Sequence, residues 1–317
     1  MRKVNVGLVS VGSHCMTNIL PALSSMENVD IKGFFTRSEK TRASVSDSYS
    51  IESFTNIEAL LSSTDLNFVY ISSPNSQHYL HVRKALEYGA NVIVEKTAVD
   101  SLERSVELKS IANRNGLVIY EAFMYKHHSQ FLRLKEIVDK KIYGCPRKVF
   151  INFGFPHLRS DDIRYSKPLS GGALMDAGAY TLSAAQELFS GLELVYSSIS
   201  RREHDVDLDG TAILIAADGT ECFLNWGFGF SYKNEIVIWT DDEWVTAERA
   251  FSKPSELRAR ITHGKNGKSG VDSDPCSNHF VQMFDYVFDI PSKRYPEVNE
   301  KLVTQMKFID KIFKDSR

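Results

Sequence analysis

Five short apolar runs, separated by stretches of helical length, occupy the first 120 residues and restrict what this chain can fold into. They are Val4 to Val11, Val29 to Thr36, Phe68 to Ser72, Asn91 to Glu95 and Leu117 to Tyr120. Helical patterns lie between them at Cys15 to Met26, at Ser76 to Tyr88 and at Ser101 to Asn115. Gly89 and Gly116 follow the last two, where a glycine closes a helix by taking the left-handed conformation. Strands alternating with helices need crossover connections, which produce a parallel sheet with helices on both faces. The first part of the chain therefore reads as a doubly wound α/β domain.

After Tyr120 the pattern changes. A helical stretch from Ser129 to Lys141 precedes strand-like runs at Arg147 to Phe155, Leu194 to Arg202, Thr211 to Ala217, Glu221 to Phe230, Glu235 to Thr240 and Glu243 to Glu248. Their close succession, with the turn Asp218-Gly219 between two of them, suits an open, mostly antiparallel sheet. Helices at Gly172 to Phe189, Asn278 to Asp289 and Val298 to Phe313 are expected to cover one face. At 317 residues the chain can bury two cores. The expected division is a dinucleotide-binding domain over 1–121 and an α+β domain for substrate binding and oligomerisation over 122–317, whose terminal helix has the option of packing back on the first. The uncovered sheet face is expected to pair subunits into a homodimer or homotetramer.

Lys and Arg number 38 against 40 Asp and Glu, a formal charge of -2 that supplies no field to attract nucleic acid or an anionic membrane. No apolar run is long enough to span a bilayer. The first strand starts at Lys3-Val4-Asn5-Val6, so no signal peptide is expected ahead of it. Cys15, Cys145, Cys222 and Cys276 are scattered, without a CxxC pair, and read as reduced thiols of a cytoplasmic protein. His127-His128, and His78 with His81, lack the matching ligands of a zinc site, so no metal is expected.

Gly7-Leu8-Val9-Ser10-Val11-Gly12-Ser13-His14-Cys15 sits where the first strand turns into the first helix, a place that presents backbone N–H groups to a pyrophosphate. The GxGxxG pattern is broken, with Ser10 at its first glycine and Cys15 at its third, while Gly12 keeps the position of close phosphate approach. The second strand runs out as Phe35-Thr36-Arg37-Ser38, without the acidic residue that would take the ribose hydroxyls of NAD. Arg37, with the hydroxyls of Thr36 and Ser38, suits the 2′-phosphate of NADP; a solvated loop arginine is the plainer alternative, and NAD stays open. Ser72-Ser73-Pro74-Asn75, followed by His78, lies at the carboxyl edge of the sheet and is expected to line the cofactor. Asn75 or Ser76 would serve equally as a helix N-cap.

Val92-Ile93-Val94-Glu95-Lys96-Thr97 ends a central strand in a carboxylate and an amine. Beside a cofactor, Lys96 would exchange a proton with a substrate oxygen and Glu95 would pair with it or with the ribose. In Gly171-Gly172-Ala173-Leu174-Met175-Asp176-Ala177-Gly178-Ala179-Tyr180, Asp176 and Tyr180 share a helix face. Tyr180 would supply the proton for a developing alkoxide, Lys96 would stabilise it, and Asp176 would orient a substrate hydroxyl. Gly178 would leave room for a cofactor or backbone. Phe155 to Lys167 and His263 to Pro275, rich in loop formers, are expected to shape the substrate pocket.

On these segments, together with Ser73-Pro74-Asn75 and Glu121-Ala122-Phe123-Met124-Tyr125, the chain resembles the glucose-fructose oxidoreductase, inositol dehydrogenase and MocA (Gfo/Idh/MocA) family over nearly its whole length. The family's strand-end motif is Glu-Lys-Pro; Thr97 departs from it and is expected to loosen the loop. Tyrosine at Tyr180, with Asp162-Ile163-Arg164, resembles the branch of glucose-fructose oxidoreductase, dimeric dihydrodiol dehydrogenase and nucleotide-sugar ketoreductases. The resemblance implies a Rossmann domain, a C-terminal α+β domain with an open sheet, and an NADP(H)- or NAD(H)-dependent enzyme. Its substrate would be a sugar, cyclic polyol or nucleotide-linked ketosugar, and Arg164 and Tyr125 would border nicotinamide or sugar. A glycosidase that uses bound NAD transiently and a non-catalytic NADP sensor are the alternatives.

Overall fold

The structure, a computed structural model, describes residues 3–63, 65–202, 204–273 and 275–316. The chain divides into two compact units, residues 1–122 with 280–306 and residues 123–279 with 307–317.

The first unit is built on a parallel sheet of β1 (Val4–Val9), β2 (Val29–Phe35), β3 (Ser53–Phe54), β4 (Phe68–Ile71), β5 (Asn91–Val94) and β6 (Ile119–Glu121), in the order β3-β2-β1-β4-β5-β6. Order reverses beside β1, which pairs with both β2 and β4. Val6, Leu8, Val9, Val69, Ile71, Val92, Ile93 and Val94 are fully buried, because helices shield both faces of such a sheet; hence the unbroken apolar runs. Those helices are α1 (Leu20–Ser24), continuing a π-helical turn at Cys15–Ile19, then α2 (Glu39–Tyr49), α3 (Ile57–Ser63), α4 (Asn75–Glu87) and α5 (Leu102–Asn115). Ser38 and Ser101 cap α2 and α5 by accepting from Thr41 N (3.2 Å) and Arg104 N (3.3 Å). Pro74, rather than Asn75 or Ser76, is the N-cap of α4.

In the second unit α6 (Ser129–Asp139) and α7 (Ala179–Leu188) accompany eight strands: β7 (Pro146–Phe155), β8 (Glu193–Ser200), β9 (Asp209–Ile215), β10 (Glu221–Phe228), β11 (Lys233–Thr240), β12 (Trp244–Glu248), β13 (Arg260–Lys265) and β14 (Lys268–Ser273). Their order is β14-β13-β12-β11-β7-β10-β9-β8, antiparallel throughout except for β7 with β10. The segment His263 to Pro275, expected as a pocket loop, instead ends β13 and forms β14. Asn266 (φ 52°) and Gly267 (φ 78°) turn the hairpin, as Asn-Gly does when both turn residues need positive φ.

Alternation decides the two faces of this sheet. Val149, Ile151 and Phe153 of β7 are buried, toward the side on which α7 packs. Outward, Ile213, Phe223, Phe150 and Val237 stand in register across four neighbouring strands. Phe150 stacks on Phe223 at 5.0 Å and tilts against half-exposed Trp239 at 4.8 Å. Beside that apolar row runs a polar ladder in which Thr211 donates to Asn225 (2.9 Å), Asn225 to Asn152 (2.9 Å) and Asn152 to Glu235 (3.2 Å).

Of the last two helices, α8 (His279–Phe288) was expected over the second sheet and α9 (Tyr295–Asp315) either there or back on the first domain; residues 280–306 belong to the first unit and 307–317 to the second. Phe284 meets Tyr70 edge-on at 5.7 Å and Phe288 tilts against Phe68 at 5.0 Å. Asn299, fully buried, accepts from Ile119 N (2.8 Å) and donates to Leu117 O (3.0 Å) and Asn113 Oδ1 (2.8 Å), closing the β6 edge. Among the described residues no helix is long and apolar enough to cross a membrane, and no group of His, Cys, Asp or Glu has metal-binding geometry.

Candidate functional site

At the carboxyl end of β1, Ser10 has φ +64°, the left-handed conformation for which the usual glycine is suited. Its amide donates to Phe35 O (2.8 Å) and its carbonyl accepts from Ser72 Oγ (3.0 Å), so the turn is tied to both flanking strands. Gly12, Ser13 and His14 are exposed, and a Cβ at Gly12 would meet nothing within 4 Å. That is open space against bare backbone, as an approaching pyrophosphate requires. Cys15 turns inward, fully buried, its thiol pushed up to about 12 by burial.

Arg37 is exposed and lines a cleft of about 180 Å³ with Ser10, Ser73, Pro74, Gln77 and His81. The hydroxyls expected at the cofactor make bonds within the protein. Thr36 is buried and donates to Val11 O at 3.2 Å; Ser38 caps α2; Ser72 holds Ser10. His81 pairs through Nδ1 with Ser73 Oγ at 2.9 Å, and burial, then His78 and Arg37, lower its pKa to about 4. His78, expected at the cofactor, is wholly buried with its ring nitrogens against Thr97 O (2.8 Å) and Ser73 O (2.6 Å). It braces the loop after β4 to the loop after β5. Thr97 is fully buried by the same brace, so the loop that lacks the family's proline is not loosened.

Glu95 accepts from Tyr70 Oη and, at 2.9 Å, from His14 Nε2, whose Nδ1 accepts from Asn18 Nδ2 at 3.2 Å. Burial favours the neutral carboxyl, but His14, Tyr70 and Lys96 outweigh it and hold the pKa below its ordinary value. Lys96 is half-buried at the strand end beside it. Asn75 opens α4 at the adjacent edge.

Asp176, Tyr180, Arg164 and Tyr125 belong to the second unit. A π-helical turn, Leu174–Gly178, leads into α7, so Asp176 and Tyr180 straddle a change of pitch rather than sharing a regular α-helical face. Arg164 Nε donates to Asp176 Oδ2 (2.7 Å) and Nη1 to Asp162 Oδ1 (3.3 Å), and the Asp176 charge raises the arginine's pKa. Tyr180 packs among Phe123, Phe153 and Phe251, with its hydroxyl 3.5 Å from Met124 Sδ, a weak acceptor. Tyr125, expected to border the substrate, is fully buried and donates to Ser183 Oγ at 2.9 Å. The room at Gly178 is taken by Leu174 Cδ1, 2.8 Å from where a Cβ would stand, and by the ring of Trp226 at 3.0–3.1 Å.

Sequence reasoning missed Tyr70, Asn56, Glu58, Gln77 and His81. Gln77 and His81 were within reach, since i and i+4 on a helix that begins beside the Ser73-Pro74 turn share a face. Glu58 was not, because α3 carried no recognised pattern.

Gly12, Arg37 and the cleft fit a dinucleotide bearing a 2′-phosphate, and relatives agree in kind. A dTDP-3,4-didehydro-2,6-dideoxy-α-D-glucose 3-reductase of Saccharopolyspora spinosa is 28% identical over 84% of this chain and 81% of its own. The NADP(+)-dependent D-xylose 1-dehydrogenase 2 of Haloferax volcanii is 27% identical over 98% and 96%. A solved 3-ketoreductase from Actinomadura kijaniata, in complex with NADP and TDP-benzene, superposes with TM-score 0.90 at 22% identity, over 100% of this chain and 98% of that one. Residues 4–123 match the NAD-binding Rossmann fold of the Gfo/Idh/MocA oxidoreductases and residues 131–246 match a C-terminal domain of the same group. Both units thus agree with the motifs, and the chain belongs to the Gfo/Idh/MocA oxidoreductase family.

Proposed function

We propose that the protein is an NADP(H)-dependent oxidoreductase acting on a hydroxyl or ketone carbon of a sugar or cyclic polyol, with a nucleotide-linked keto-deoxysugar as the finer assignment. The observation that carries the reading is Arg37, exposed in a cleft at the carboxyl ends of the first unit's strands. A guanidinium there suits a phosphate monoester better than a pair of ribose hydroxyls. The substrate class comes from the relatives, among which sugar 3-reductases and NADP(+)-dependent sugar and inositol dehydrogenases recur.

When bound, the nicotinamide would supply or accept the hydride. The chain's own part is the proton and the orientation. We assign Tyr180 as proton donor to the carbonyl oxygen, Lys96 as the charge that stabilises the developing alkoxide, and Asp176, steadied by Arg164, as the acceptor for a substrate hydroxyl. Support for the pair comes from variants of the Actinomadura ketoreductase, in which a lysine and a tyrosine were separately replaced. Those two positions stand as far apart along its chain as Lys96 and Tyr180 do here. Glu95, held charged by His14 and Tyr70, places a negative charge next to Lys96.

The outward row Ile213, Phe223, Phe150 and Val237 with Trp239 is the surface we assign to self-association into a homodimer or homotetramer. Four free cysteines suit a cytoplasmic setting.

Fluorescence titration with NADPH and NADH, followed by nicotinamide oxidation across a panel of ketosugars and sugar nucleotides, tests the assignment. NADPH binding with oxidation by one sugar class is expected. Binding without oxidation by any of them would move the assignment to a glycosidase or a sensor, and no binding would end it.

A further inference from the structure

Glu58 is the one carboxylate among the described residues lining the Arg37 cleft. Opposite a ribose, a carboxylate accepts from the 2′- and 3′-hydroxyls and opposes a 2′-phosphate, so its presence argues for the wrong cofactor unless its charge is compensated. Lys84 supplies that compensation. Lys84 of α4 pairs with Glu58 Oε1, linking α4 to α3. It lies three residues, or nearly one turn, beyond His81 of the cleft, so one helix supplies both a wall of the cleft and the counter-charge for its acid. Both members of the pair are about two-fifths exposed. His81 is neutral at pH 7 and contributes no compensating charge. The cleft's balance therefore rests on Arg37 against Glu58, with Lys84 deciding how much of the glutamate is felt.

We propose that Lys84 is a specificity-determining residue of the cofactor site: by holding Glu58 in an ion pair it keeps the cleft selective for a 2′-phosphorylated dinucleotide over NADH. The proposal rests on the assignment of this cleft to NADP(H). Releasing Glu58 would both repel the phosphate and offer an acceptor to the ribose hydroxyls, so the two cofactors respond in opposite senses.

The test is the ratio of NADH to NADPH dissociation constants, measured by fluorescence titration of the full chain. Lys84→Met should weaken NADPH about fivefold, the effect of one restored charge on a phosphate across a few ångströms of well-hydrated surface, and leave NADH unchanged or tighter. Lys84→Arg should keep the wild-type ratio. Adding Glu58→Gln to Lys84→Met should restore NADPH binding to within about twofold of wild type, which mere damage to α4 would not do. A Lys84→Met ratio equal to wild type, or a double variant as weak for NADPH as the single, overturns the proposal. Arg37→Ala run alongside separates the two levels. If it weakens NADPH selectively while Lys84→Met does not, the clamp alone fails; if neither changes the ratio, the assignment of the cleft fails with it.

Discussion

On the roles proposed for them, Lys96 and Tyr180 divide the proton chemistry, and their loss should differ in kind. Lys96→Met is expected to abolish turnover while NADPH still binds, and Tyr180→Phe to lower kcat by about 10²–10⁴ with KM little changed, as loss of a general acid does. Stopped-flow oxidation of bound NADPH would show it, and normal kcat in both variants would refute the roles. Asp207 has a different consequence. It accepts from Leu174 N at 2.6 Å where the turn carrying Asp176 begins, and a Cβ at Gly172, whose φ is +118°, would lie 2.4 Å from its Oδ1. Burial pushes its carboxyl up from 3.8 to about 6. The folded state then keeps a proton that the unfolded chain releases, so stability falls as pH rises through that window, by on the order of 1–2 kcal/mol between pH 5 and 7. Asp207→Asn should flatten that part of the profile in urea titrations at the two pH values, since an amide oxygen can still accept from Leu174; an unchanged slope would mean that Asp207 is not the group responsible.

Gly178 shows what a π-helical turn does at the level of an element. It lets the helix lie against Trp226 of β10, and Gly178→Ala, driving a methyl to about van der Waals overlap with that ring, should cost about 1–3 kcal/mol. Thermal denaturation measures it, and a melting temperature equal to wild type would show that Leu174 and Trp226 both yield freely. Much of this architecture was legible beforehand. Strands buried on both faces wrote themselves as continuous apolar runs, and α5 followed between Ser101 and Gly116, whereas α2 and α3 went unread. Amphipathic α8 was legible as a helix, but periodicity says which face is buried and nothing of the sheet beneath it. The same limit applied at His78 and Tyr125: position beside a motif marked them as contacts, whereas burial made one a brace and the other core. Thr36 and Ser72 show the same limit, because a hydroxyl near a cofactor loop has the loop's own carbonyls to serve first.

For the whole molecule, the outward face of the second sheet is the surface we assign to self-association. Trp239→Lys, placing a charge beside Phe150 and Phe223, should shift the protein toward monomer in sedimentation velocity while its melting curve stays cooperative. A wild-type sedimentation coefficient would assign association to another surface. Charge and cysteine content placed the chain among ordinary globular proteins without naming a partner, and the substrate stayed unread because sugar hydroxyls are met by loop side chains whose direction no spacing encodes.

Asn299 bonds to Ile119, 180 residues earlier, and Phe284 and Phe288 cover Tyr70 and Phe68. The nucleotide-binding unit thus receives its closing pieces only when most of the chain has left the ribosome. During synthesis residues 123–279, the larger part of the second unit, emerge before residues 280–306 do. Until then Phe68 and Tyr70 stand without their aromatic cover, on a strand that pairs directly with β1.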